Sequence, residues 1–233
     1  MLDIKDFRKS YGKTEVIKGI SLAVEPGEIF GFIGHNGAGK TTTIKSIVGI
    51  TDFTDGEIKI NGKSIKEQPQ ECKKEIAYIP DNPDLYDKLT GIKYLNFICD
   101  IYDVDVEKRK QKIEELATEF EIISNLGDTI GSYSHGMKQK LVIISALIHE
   151  PKLLVLDEPF VGLDPKASYI LKQKMQELCD NGSSIFFSSH VLEVVEKLCH
   201  RIAILKAGEI IHMGKTEEIA HLKSLEEIFL EIN

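Results

Sequence analysis

The sequence predicts an α/β fold: a parallel-sheet core, preceded by an N-terminal antiparallel β subdomain and interrupted by an inserted helical subdomain. Three observations carry that expectation. The N-terminal third alternates apolar and polar residues as strands do, and residues 90–149 read mostly as helices. On either side of that stretch, short continuous apolar runs alternate with helical segments. Strand–helix alternation marks a parallel sheet, because a parallel partner needs a crossover to return the chain.

The elements follow in order. Residues 2–7 and 16–24 have the period of two that places one face of a strand inside, with Tyr11-Gly12-Lys13 turning between them. Pro26-Gly27-Glu28 turns into Ile29-Phe30-Gly31-Phe32-Ile33, a near-continuous apolar run of the kind buried on both faces. Ile44, Ile47 and Val48 then recur at helical spacing and stop at Gly49. Helices are expected over 92–102 and 106–120, with a third opening at Ser134. Residues 153–156 and 185–188 are apolar strands flanking a helix over 166–179, and 203–206 with 209–213 form a hairpin about Ala207-Gly208. The expected organisation is one domain over 1–233, with 1–80 and 150–233 forming the core and its β subdomain, and 81–149 the helical subdomain.

Bulk composition narrows the function classes. At 233 residues with 42% hydrophobic and 7% aromatic content, one compact unit with an aliphatic core is expected. Lys plus Arg number 29 against 37 Asp plus Glu, a formal charge of −8 that repels a phosphate backbone and argues against nucleic acid as a partner. No stretch approaches the roughly 20 apolar residues that span a bilayer. Met1-Leu2-Asp3-Ile4-Lys5-Asp6 alternates like a strand and lacks a signal-peptide apolar region, so a cytoplasmic location is expected. Cys72, Cys99, Cys179 and Cys199 form no metal-binding spacing and read as reduced core thiols.

Two motifs carry chemistry. Gly34-His35-Asn36-Gly37-Ala38-Gly39-Lys40-Thr41 matches the phosphate-binding loop G-x-x-x-x-G-K-[ST], between a buried-type strand and a helix, and Thr42 follows it among the expected nucleotide contacts. Its glycines let successive amides face phosphate oxygens, and the helix N-terminus adds its positive end. Lys40 is expected on the β- and γ-phosphates of ATP and the Thr41 hydroxyl on Mg²⁺. Leu153-Leu154-Val155-Leu156-Asp157-Glu158 is an apolar strand ending in two carboxylates. Asp157 is placed to hold Mg²⁺, and Glu158 to polarise the water that attacks the γ-phosphate. The fold class is thereby that of a P-loop NTPase.

With these residues in place, the chain resembles an ABC transporter ATP-binding subunit over nearly its whole length. It is most similar to exporter-type (ABC-2-like) members of the drug and antibiotic branch, whose ATPase is a separate polypeptide. Tyr133-Ser134-His135-Gly136-Met137-Lys138-Gln139 resembles the family signature Leu-Ser-Gly-Gly-Gln, with His135 and Met137 departing from it. The resemblance implies that Ser134 and Gly136 touch the γ-phosphate held by an opposite subunit, so the working unit is a dimer with itself or with a related subunit. It also implies an adenine-stacking role for Tyr11 and a Mg²⁺ or water contact for Asp81, where the family has glutamine. Gly162-Leu163-Asp164 resembles the loop that meets the partner subunit, and His190 the switch histidine that holds the attacking water.

The function so implied is ATP hydrolysis driving transport, with export favoured and import left open, through separate integral membrane subunits, at the inner face of the cell membrane. Ser224-Leu225-Glu226-Glu227-Ile228-Phe229-Leu230 also resembles the tails of exporter ATPases. The alternative is a soluble ABC ATPase acting on ribosomes or DNA. Against it stand the single domain, the net acidity, and a stretch from Thr42 to Tyr133 without sustained heptads.

Overall fold

The computed structural model describes residues 1–222 and 225–231. Strands β1 (Leu2–Tyr11), β2 (Thr14–Val24), β3 (Ile29–Gly34) and helix α1 (Lys40–Ile47) open the chain. β4 (Asp55–Ile60), β5 (Lys63–Ser64), α2 (Pro69–Glu75) and β6 (Ile76–Ile79) follow. Helices α3 (Gly91–Ile101), α4 (Val106–Glu119) and α5 (His135–Ile148) come before β7 (Leu153–Asp157), α6 (Pro165–Asp180) and β8 (Ser184–Ser189). The chain continues through α7 (Leu192–Leu198), β9 (Arg201–Lys206), β10 (Glu209–Lys215), α8 (Thr216–Leu222) and α9 (Leu225–Glu231).

Two sheets result. β2-β1-β4-β5 is antiparallel; β10-β9-β3-β8-β7-β6 is parallel except at the β9–β10 hairpin. β1 and β2 run further toward their turn than the apolar alternation suggested, because Tyr11 pairs with Thr14 through a largely polar tip. β1 also bulges between Ile4 and Phe7, where Asp6 has φ 42°. On β4, Gly56 lies against that bulge, and a Cβ there would stand 2.3 Å from the Asp6 carbonyl oxygen, so only glycine fits.

The parallel sheet is a wall between two cores. Alternate residues of each central strand face opposite sides: Ile29 and Ile33 one way, Phe30 and Phe32 the other; Leu154 and Leu156 one way, Leu153 and Val155 the other. That two-sided burial is why these strands read as unbroken apolar runs. One face packs on the antiparallel sheet and α1 through Leu2, Ile4, Phe7, Ile44 and Ile47. The other carries α3, α4, α5, α6 and α7 through Leu95, Ile113, Leu141, Leu171 and Val195. Each such fully buried aliphatic or Phe side chain contributes about 1.5–3 kcal/mol.

The three helices between β6 and β7 start on side-chain caps: Thr90 on the Lys93 amide, Asp105 on those of Glu107 and Lys108, Ser134 on that of Met137. Such caps satisfy amides that the first turn leaves without a helical partner. All four cysteines are buried and free. Among the described residues no helix is long and apolar enough to cross a membrane. Of the C-terminal segment 224–230, Ser224 lies outside the described residues and the remainder belongs to α9.

Candidate active site

β3 delivers the phosphate loop from the middle of the parallel sheet, between β8 and β9. Its last residue, Gly34, is pressed against β9: a Cβ there would stand 2.4 Å from the Leu205 carbonyl oxygen. At the other end of the loop Gly39 has φ 114°, and a Cβ would stand 2.4 Å from Cδ1 of Ile17. Gly34 is thus demanded by close approach to backbone, and Gly39 by its left-handed φ. Gly39 occupies the N-cap of α1 with no side chain capping it among the described residues, which leaves the first-turn amides to face an anion.

Lys40 is 6% exposed. Its ammonium donates to the carbonyls of Gly34 at 2.6 Å and His35 at 3.3 Å, and lies 3.8 Å from Glu158 Oε1. Burial pulls the Lys40 pKa down, against the opposing pull of Glu158 and Asp157. A buried cation in that condition gains from any anion brought beside it.

The two acids end β7. Asp157 is 1% exposed; its Oδ1 accepts the Ser188 hydroxyl, and its Oδ2 is buried with no hydrogen-bond partner among the described residues. Glu158 takes a left-handed backbone, φ 48°, held by its amide donating to Ser188 O at 3.2 Å and Ser188 Oγ at 3.3 Å. Its side chain is thereby set between two bases: Oε1 toward Lys40, Oε2 at 2.9 Å from His190 Nδ1 and accepting the His190 amide at 3.3 Å. Backbone strain of this kind collects where geometry matters to chemistry.

These groups enclose a cavity of about 300 Å³. His35, Asn36, Gly37, Gly39, Lys40, Thr41 and Thr42 of the loop and the start of α1 line it, together with Asp81, Asp157 and Glu158. Gly34 and Ala38, also of the loop, are buried, and His190 joins through Glu158. The orphaned Asp157 oxygen and the Thr41 hydroxyl are hard oxygen donors of the type Mg²⁺ takes, so the residues present fit that cation.

Three expected residues lie elsewhere. Tyr11 is half exposed at the β1–β2 turn with the Lys9 ammonium 4.7 Å from its ring centre, and Val16 of β2 lines the cavity in its neighbourhood. Ser134 caps α5, and Gly136 faces the Gly162 carbonyl oxygen; both lie outside the cavity of their own chain. Ser188 was not singled out from sequence. It sits beside Asp157 in the β7–β8 register, and a serine placed directly after the apolar residues 185–187 of β8 is the signal that could have found it.

A model of the ABC transporter family matches residues 17–161. The whole chain is 36% identical, over 237 aligned residues covering 96% of that protein, to the ABC-type transporter ATP-binding protein EcsA of Bacillus subtilis (strain 168). It is 35% identical over 219 residues, 94% of this chain and 70% of the relative, to the linearmycin resistance ATP-binding protein LnrL of the same strain. A solved structure described as the ATP binding subunit of an ABC transporter aligns with a TM-score of 0.95 and 34% identity, covering 100% of this chain and 99% of that one.

Proposed function

Because the chain belongs to the ABC transporter family as one of its ATP-binding, ATP-hydrolysing subunits, we propose that it hydrolyses ATP at this cavity to drive export through separate integral membrane subunits. The observation that carries the site is Glu158, held 3.8 Å from Lys40 and 2.9 Å from His190 beside the unpaired oxygen of Asp157. Antibiotic or drug cargo is favoured by the similarity to the linearmycin resistance protein. A location on the inner face of the cell membrane follows from that partnership.

The roles divide by chemistry. The loop amides and the N-terminus of α1 take the phosphates, Lys40 the β- and γ-phosphate charge, and Tyr11 the adenine ring. Thr41 and Asp157, with Asp81 nearby, would hold Mg²⁺, which would neutralise charge on the phosphate oxygens. Glu158 orients a water and takes its proton as the water oxygen bonds to the γ-phosphorus. The bond to the β–γ bridging oxygen breaks, and its electron pair leaves with ADP. His190 fixes the Glu158 carboxylate. Ser134 and Gly136 complete the corresponding site of a second subunit, identical or related.

Glu158→Gln keeps the size of the side chain and removes the charge that activates water. A general base contributes about 10²–10⁴-fold, so hydrolysis should fall by that order while ATP binding persists and an ATP-bound dimer accumulates on size-exclusion chromatography. Lys40→Ala should lose nucleotide and stay monomeric. Wild-type turnover in Glu158→Gln would remove Glu158 from the mechanism.

A further inference from the structure

The far end of the described chain reaches the phosphate loop. Phe229 of α9 packs its ring on that of His35, with centroids 3.9 Å apart and planes inclined by 39°. His35 is held in more ways than this. Its carbonyl oxygen accepts the Lys40 ammonium at 3.3 Å and the Ala38 amide at 3.1 Å, and its Nε2 is buried with no hydrogen-bond partner among the described residues. A ring contact on this side chain therefore acts on a peptide that belongs to the loop's own hydrogen-bond network.

α9 itself is anchored. Leu225 is fully buried and Ile228 nearly so, in the same core as Val195 of α7, and the Leu225 amide donates to Glu196 Oε1 at 3.3 Å. α7 begins two residues after His190. One short helix thus touches the loop that precedes α1 and the helix that follows His190, and Phe229 is its point of contact with the loop.

We infer that Phe229 is a positioning residue for phosphate binding, acting through His35 to hold the phosphate loop in shape. The inference rests on the reading of this cavity as the ATP site. Among the described residues His35 has three restraints, two through its carbonyl and one through its ring, and of these the ring restraint comes from outside the loop. Removing it lets the His35 side chain, and with it the peptide that Lys40 bonds, sample other arrangements before phosphate binds. The cost falls on affinity, because the Glu158 carboxylate is also held from outside the phosphate loop, by Nδ1 and the amide of His190.

The test is a double-mutant cycle on Mg-ATP binding, read by calorimetry, together with steady-state kinetics on the full chain. Phe229→Ala should weaken ATP binding and raise KM about three- to tenfold, the size of one lost aromatic pair, with kcat within about twofold of wild type. Phe229→Tyr, which keeps the ring, should restore wild-type KM. His35→Ala, which leaves α9 untouched, should weaken binding similarly, and the double variant should be no worse than either single one. Losses that add in the double variant, or a Phe229→Ala protein that binds ATP like wild type, overturn the inference while leaving the ATPase reading intact. A wild-type chain that binds no Mg-ATP would instead remove the reading on which the inference stands.

Discussion

Lys40 is a buried base and His149 a partly buried one whose ring nitrogens are covered, and their surroundings give them opposite uses. Lys40 has Glu158 and Asp157 nearby and opens into a cavity, so its buried charge is available to an anion. His149, the C-cap of α5, is stacked on Tyr102 with ring centroids 3.6 Å apart, and burial pushes its pKa down to about 4. It is neutral in the folded chain at physiological pH, as a core residue should be. The consequence for stability has a definite sign. Between the ordinary histidine range near pH 6.5 and about pH 4 the unfolded chain binds a proton that the folded chain refuses, so stability falls as pH falls through that window. Two to three pH units correspond to roughly 3 kcal/mol. His149→Phe should therefore lose less stability than wild type between pH 7 and pH 4 in denaturant unfolding. Parallel pH profiles for the two proteins would show that His149 is not protonation-restricted. That residues of the phosphate loop and the end of β7 line one cavity was legible in the sequence because each motif is contiguous and local spacing preserves it. Ser188 was not, since its bond to Asp157 spans two strands that only the sheet register brings together.

Among elements, α6 shows how one side chain can set the relation of two helices. Asp164 caps α6 through Oδ1, which accepts the Ala167 amide at 2.8 Å, and its Oδ2 lies 2.6 Å from the Lys140 ammonium on α5. The lysine, and after it the Ala167 amide, hold the Asp164 carboxyl below its ordinary pKa. Its contribution is thus present above the usual carboxylate pKa and is lost as pH falls through the lowered value. Asp164→Ala removes cap and ion pair together and should cost about 1 kcal/mol or more at neutral pH. Asp164→Asn keeps a good cap and should cost less, with a deficit that shrinks toward acid pH as wild type loses its charge. Equal costs for the two variants at pH 7 would show that the ion pair, not the cap, holds this corner. The helices of this region were readable from apolar spacing and caps, whereas β4, β5 and β6 were not. β6 is only four residues long and β5 two, too short to show a period. The sign of β4 as a strand lies in its pairing with β1, across about fifty residues of chain.

At the scale of the whole molecule, the chain separates what its proposed chemistry must unite. The cavity holds Lys40, Asp157 and Glu158, while Ser134 and Gly136 stand outside it at the N-terminus of α5. If Ser134 serves the nucleotide of a second copy, two inactive variants should complement each other. Lys40→Ala spoils the phosphate loop. Ser134→Asp keeps α5 capped, since aspartate is as good an N-cap as serine, but sets a carboxylate against the γ-phosphate. In a two-fold dimer each variant alone has both composite sites damaged. In the mixed dimer one site collects both lesions and the other none. A one-to-one mixture should therefore recover ATPase activity that neither variant shows alone, because Lys40→Ala can still close on the sound phosphate loop of a Ser134→Asp partner. Wild-type specific activity should also rise with protein concentration through the dimerisation range. Complementation that fails at every mixing ratio, with specific activity flat in concentration, would place the complete site within one chain and leave Ser134 as a helix cap alone.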